Sequence, residues 1–258
     1  MKKLLVIFGA VAFALVGASM FAAFEAHVVN VTATIENALT VPTTPILFGT
    51  VFPQEQIDKH LSVGLSTSFL DPNQTRVDTV TYMIRQKPKC GFTTNKGTVL
   101  VGDTKTGEVV VGDNPQTPEV ETYWIDCGPT PTPVPAEGAV WGVLPSLCPY
   151  LSKHSSNQGD INVPAFHQPF TISSGTVVWT EAKGTLSKGP LDQLTADWTI
   201  DLKVPCFGGY CAQDWASFVR GINESADPAA YTQPIDNEHK VFGCDLWVET
   251  TGVTLSPR

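Results

Sequence analysis

The chain has 258 residues, carries a formal net charge of −9 at pH 7, and is only 16% charged. An acidic surface repels phosphate backbones and anionic lipid headgroups, so nucleic-acid binding and charge-driven membrane binding are not expected. The length suffices for one large domain with its own hydrophobic core.

Met1-Lys2-Lys3 opens the chain with two positive charges, and Leu4–Phe24 then runs without a charge. A basic start, an apolar stretch and small residues before a polar segment form the layout of a secretory signal peptide. Residues 1–23 are read as that signal, cut between Ala23 and Phe24. Cleavage after Ala26 is one alternative. The other is retention of Leu4–Phe24 as a single-pass anchor, roughly 20 apolar residues being enough to cross a bilayer. Membrane contact is expected through this segment alone. Residues 24–258 are read as a single domain, secreted or displayed at the cell surface.

Period-two alternation, the mark of half-buried strands, recurs along that domain. Val29, Val31, Ala33 and Ile35 share one face of the first segment, opposite Asn30, Thr32 and Thr34. Leu61, Val63, Leu65, Thr67 and Phe69 form a second set, and Val80, Tyr82 and Ile84 a third. Thr98–Val101 and Glu108–Val111 flank Gly102–Gly107 and predict a hairpin with turn residues in its loop. Gly128–Pro135 alternates proline with other residues, lacks ladder donors and is read as an exposed excursion around 128–170. Trp198, Ile200, Leu202 and Val204 alternate with Asp197, Thr199, Asp201 and Lys203, and Phe242, Cys244, Leu246 and Val248 repeat the pattern.

Helical signal is sparse. Trp215, Phe218, Val219 and Ile222 stand at helical spacing in Ala212–Ile222, and Asp227-Pro228 could begin a second short helix. Many strands and few helices predict an all-β fold, an antiparallel, jelly-roll-like β-sandwich. One or two short helices are expected in an insertion around 205–240.

Six cysteines, Cys90, Cys127, Cys148, Cys206, Cys211 and Cys244, all follow the leader. An even number in an exported chain predicts three disulfides. Cys206 and Cys211 enclose Phe-Gly-Gly-Tyr, a loop able to fold back, and are assigned to each other. Cys127 and Cys148 flank the proline-rich stretch and are a weaker pairing; the connectivity of these two with Cys90 and Cys244 stays open. Zinc is the rival, but structural zinc sites show two close ligand pairs and this chain has one.

No catalytic constellation stands out. The five histidines form no HExxH pair, and no Gly-x-Ser-x-Gly elbow occurs. No catalytic, cofactor-binding or metal-binding residue is therefore assigned, and no cofactor is expected. Asn30, Asn73 and Asn223 begin N-x-S/T sequons, whose modification the triplets alone leave open. Of the six tryptophans, Trp198 reads as core, whereas Trp141, Trp179 and Trp247 could belong to a sugar-binding face.

The run Met20–Glu25 leading into Val28–Leu39 resembles the N-terminus of the TasA/camelysin family. Ile46–Glu55 resembles that family's strand followed by a Pro-Gly-Asp/Glu turn, with Gln54 in place of the glycine. The resemblance covers about residues 1–70. It implies cleavage at Ala23–Phe24 and an exported jelly-roll protein of biofilm matrix or cell-surface filaments. It also implies that the freed segment bearing Val29, Val31, Ala33 and Ile35 can act as a strand donor to the next subunit, whereas in the isolated subunit the same strand is expected to pair within its own sheet. Beyond residue 70, Cys206–Trp215 and Phe242–Glu249 look more like a cysteine-bearing group of uncharacterised secreted proteins. Some relatives carry a metallopeptidase label, for which this chain offers no residue set.

The expectation is thus a structural or matrix protein, not an enzyme, that acts by self-association or by contact with other cell-surface proteins. A surface-displayed module binding glycans or proteins through exposed aromatics is the alternative, and a metal-dependent hydrolase the third reading.

Overall fold

The computed structural model describes residues 33–94, 97, 99–115, 122–189 and 193–255. In chain order the strands are β1 (Leu39–Thr40), β2 (Gln56–Leu65), β3 (Val77–Lys87), β4 (Lys89–Thr93), β5 (Val99–Thr106), β6 (Glu108–Val111) and β7 (Tyr123–Asp126). They continue with β8 (Val140–Val143), β9 (Leu151–Ser155), β10 (Phe170–Ser173), β11 (Thr176–Trp179), β12 (Ala182–Ser187) and β13 (Thr195–Lys203). Among the described residues one α-helix, α1 (Trp215–Ile222), precedes the last strand, β14 (Asp245–Leu255). The residues from Asn37 onward make up one unit.

Every strand pairing in that unit is antiparallel. A four-stranded sheet in the order β1-β2-β13-β9 and a three-stranded sheet in the order β12-β3-β14 share one core. The alternation read from the sequence sets their inward faces. Leu61, Val63 and Leu65 of β2, Trp198, Ile200 and Leu202 of β13, and Val80, Tyr82 and Ile84 of β3 are all buried. The Trp198 indole N–H donates to the Tyr82 hydroxyl at 2.8 Å, and the two rings meet edge to face. This bond links the sheets across the core and satisfies two polar atoms that burial would otherwise leave costly. Gly184 of β12 makes room for it, because a Cβ there would stand 2.4 Å from the Tyr82 ring and hydroxyl. The fold is an all-β sandwich.

Two strands change sheets at one place. β3 ends at Lys87, and after Pro88 the chain continues as β4 in a second sheet, ordered β5-β4-β8. Proline lacks the N–H that would extend the first ladder. Opposite it, β5 passes through Gly107 into β6, which among the described strands pairs with β7. The Gly107 N–H donates to the Pro88 carbonyl at 2.8 Å. A Cβ on Gly107 would lie 2.6 Å from Ile125 and 3.1 Å from the Cys90 sulfur. The hairpin expected between Thr98–Val101 and Glu108–Val111 therefore does not form. β5 runs through the presumed loop to Thr106, and its partner is β4. The turn-rich composition of 102–106 yields to pairing along β4, while Gly107 supplies the bend.

Elsewhere the alternation ends early or changes form. β2 stops at Leu65, where Ser66 closes a turn by accepting from the Phe69 N–H at 3.1 Å, which still buries Phe69. Phe52–Glu55 forms the expected turn, and Gln54 takes a left-handed φ of 67°, where glycine would be unstrained. The proline-rich stretch is mostly exposed between Pro129 and Gly138. α1 forms where its spacing predicts and buries Trp215 and Val219. Asp227 caps a 3-10 turn over Pro228–Tyr231 by accepting from the Ala229 N–H at 3.2 Å.

At the N-terminal side the outcome differs. Ala33–Glu36 carries no regular structure, and Ile35 is 93% exposed. The expected strand is absent at its described end, since alternation stabilises a strand only when a sheet covers its apolar face. Val29, Val31, the cleavage pair Ala23 and Phe24, and the whole leader lie outside the described residues.

Candidate functional site

All six cysteines are paired: Cys90 with Cys127, Cys148 with Cys244, and Cys206 with Cys211. The last is the pair assigned from its short loop. The pairing of Cys127 with Cys148 is overturned. Cys127 follows β7, which brings it under β4 and Cys90 at a Cα separation of 5.7 Å. Cys148 instead reaches the start of β14, because Ser146 bridges to Gly243 and the Leu147 N–H donates to the Gly243 carbonyl. Nearness along the chain gave way to the crossing of β8. Three disulfides fit an oxidising environment.

Two features outside the core could carry function, and the first is an edge. β14 pairs with β3 along its length, and no other strand joins its far side among the described residues. Asp245 and Trp247 at its start are held by Thr106: its hydroxyl donates to Asp245 at 2.7 Å and accepts from the Trp247 indole at 3.2 Å. From Val248 to Leu255 no described strand pairs with that edge, and Val253 and Leu255 are exposed, Leu255 at 71%. Leu246 and Val248 pack only partly covered against the core.

The second is a cleft of about 590 Å³ where β3, β5, β6, β11 and β14 meet. Trp179 and Trp247 form its aromatic walls, joined by Lys87, Lys105, Thr106 and Glu108. The Lys87 ammonium lies 3.5 Å from the centre of the Trp247 ring and 5.9 Å from that of Trp179. It thus sits between the indoles in a cation–π arrangement. Glu249 steadies it at 3.6 Å and is itself tied to Arg85 at 2.9 Å, which also holds Glu181. Trp179 is fixed from behind by Phe170 of the β10–β11 hairpin, the ring centres 5.4 Å apart. Lys105 and Glu108 form no ion pair among the described residues. Trp247 is 41% exposed.

The sequence singled out Trp179 and Trp247, and the structure brings them together. Trp141 goes elsewhere and packs on Phe92. Lys87, Lys105 and Thr106 escaped notice, because an isolated lysine or threonine carries no periodic signal. Only the junction of five strands makes them neighbours.

A third group lies inside the sandwich. Lys153 of β9 is fully buried, and its ammonium has no hydrogen-bond partner among the described residues. Nearby, His167 Nε2 meets Gln86 Oε1 at 2.6 Å, and the Gln86 amide donates to the Leu151 carbonyl. Burial pulls the Lys153 amine down to about 7. Burial first, and the Lys153 charge second, push His167 down to about 3. Lys153 and Gln86 are fully buried and His167 nearly so, which leaves the group little surface for a substrate among the described residues.

Of the sequons, Asn73 is exposed on a turn and its amide donates to Asp71 at 3.1 Å. Asn223 is turned inward, its amide donating to the Phe166 carbonyl at 2.7 Å while its oxygen accepts from Ser225. That amide is committed to a structural bond. Asn30 lies outside the described residues. Among the described residues no three His, Cys, Asp or Glu side chains gather in a metal-ligand arrangement. Comparison with protein-family models, curated proteins and solved structures returns no match.

Proposed function

We propose that this is an exported structural protein of the cell surface or matrix, which assembles by adding the N-terminal segment of one subunit to the β14 edge of the next. The observation that carries this reading is the edge from Val248 to Leu255, which no strand among the described residues pairs, on a three-stranded sheet facing a four-stranded one. One added strand would bring both sheets to four and cover Leu246 and Val248. An unpaired edge offers a row of N–H and C=O groups, and pairing with an incoming strand satisfies them. The alternating face of Val29, Val31, Ala33 and Ile35 suits that role. So does the exposure of Ala33 and Ile35. Export is supported by the basic-apolar leader and the three disulfides. The resemblance of residues 1–70 to TasA/camelysin proteins supports the same conclusion.

The test is electron microscopy and sedimentation of the oxidised protein, intact and lacking residues 24–35. Polymers are expected from the first and monomers from the second. Placing lysines on that edge, Val253→Lys with Leu255→Lys, should also stop growth without unfolding the subunit, as charges do on natural edges. Polymers unchanged in both variants would refute the assignment.

A further inference from the structure

The cleft between Trp179 and Trp247 does not belong to the assembly edge, because its wall meets β14 only at the strand's first residues. We propose that this cleft is a binding site for an acidic carbohydrate, a pyranose unit bearing a carboxylate.

The argument rests on three features of the lining. Its volume of about 590 Å³ lies within the range of pockets that enclose small ligands. Trp179 on β11 presents an apolar indole surface to the cleft, while the Trp247 ring on β14 carries the Lys87 ammonium 3.5 Å from its centre. The C–H face of a pyranose chair fits the Trp179 surface, since it surrenders apolar area to it and leaves its hydroxyls at the rim. The charge then narrows the choice. On a chain of net charge −9 the cleft collects two ammonium groups. Lys87 is held over the Trp247 ring and partly neutralised by Glu249. Lys105 has no ion-pair partner among the described residues, so it is the group available to a ligand carboxylate. Glu108, likewise without an ion pair there, is an acceptor for sugar hydroxyls. Its charge disfavours a ligand that is anionic all round, such as a sulfated or phosphorylated chain, and favours one acid per ring.

The walls are preorganised. Thr106 holds the Trp247 indole N–H, and Thr106 and Lys89 both engage Asp245. The Cys90–Cys127 disulfide and the contact of Gly107 with Cys90 and Ile125 fix the β5–β6 bend from which Thr106 and Glu108 project. Little ordering remains to be done on binding, which favours affinity.

The experiment uses the full-length, disulfide-intact protein and follows tryptophan fluorescence and calorimetry with oligogalacturonate as the acidic probe. A neutral oligosaccharide of equal length, cello-oligosaccharide, serves as the comparison. The expected result is saturable binding of the acidic probe that weakens at least tenfold in Lys105→Gln and in Trp179→Ala, and declines with added salt. Neutral probe should bind at least tenfold more weakly. Lys105 is exposed, so its variant keeps the fold; an unchanged circular-dichroism spectrum and melting curve confirm this for both variants. Equal binding of the two probes, or acidic-probe binding unaltered by Lys105→Gln, overturns the proposal, as does absence of binding by either probe. Filament formation is scored separately in the same variants and should persist, so failure of this site is distinguishable from failure of the assembly reading.

Discussion

Lys153 is a long cationic side chain that is fully buried, with no hydrogen-bond partner for its amine among the described residues. A buried amine without partners disfavours its own charged form, which is why its affinity for the proton falls from the ordinary 10.5 to about 7. Above pH 10.5 both folded and unfolded chains hold a neutral amine. Between about 7 and 10.5 the unfolded chain alone is protonated, so stability rises with pH across that window. Below pH 7 both states are charged and the full penalty applies. His167 acts in the same direction lower down: its proton affinity drops from 6.5 to about 3, so stability is lost as pH falls through that interval. Lys153→Met keeps the stem and removes the charge. Calorimetric unfolding at pH 7 should show a gain of about 1–3 kcal/mol, the usual penalty of an unsatisfied buried polar group. The slope of stability against pH between 7 and 10.5 should flatten. The same variant should raise the His167 pKa, visible in an NMR titration, because the nearby positive charge is gone. A loss of stability in Lys153→Met would mean that the amine makes a favourable contact.

The elements respond to covalent ties of very different reach. Cys148–Cys244 closes a loop of 96 residues in sequence separation, Cys206–Cys211 one of 5. Chain-entropy reasoning assigns about 4.7 kcal/mol to a loop near 100 residues and much less to a very short one. Replacing Cys148 and Cys244 together by alanine should therefore lower the denaturant midpoint far more than replacing Cys206 and Cys211. Equal losses would point to native-state packing, not loop closure, as the source of stability. The contrast also separates what could be read ahead of the structure from what could not. The Cys206–Cys211 pair, β3, β13 and α1 depend on residues within a few positions of one another, so spacing alone exposes them. Cys148–Cys244 and Cys90–Cys127 depend on where strands cross between sheets, at Pro88 and Gly107, and composition made that crossing look like a simple hairpin. The cleft falls in between. Trp179 and Trp247 were visible as aromatics without a core role, but Lys87 joins them only through the β3–β14 register, in which Trp247 lies opposite Arg85 and Lys87 opposite Asp245.

At the scale of the whole molecule, charge would set the proposed assembly and the proposed sugar site against each other. Each chain carries −9, and removal of the leader would also remove Lys2 and Lys3 and leave it more acidic. The proposed strand addition would stack these like-charged bodies at short spacing, while the hydrogen bonds joining them would be neutral. Raising ionic strength from about 0.01 to 0.15 M shortens the screening length from about 30 to 8 Å. Repulsion between neighbours is thereby reduced with little cost to the backbone pairing. The concentration needed for polymers should fall severalfold over that range, and light scattering against salt would record it. Uronate binding should move the opposite way, because its contact with Lys105 is an attraction that the same ions screen. Polymers that dissolve as salt is added would reveal a contact made by ion pairs, which strand donation at β14 does not supply. A common salt dependence for assembly and binding would mean that the two share one surface, contrary to the separation of the Trp179–Trp247 cleft from the Val248–Leu255 edge.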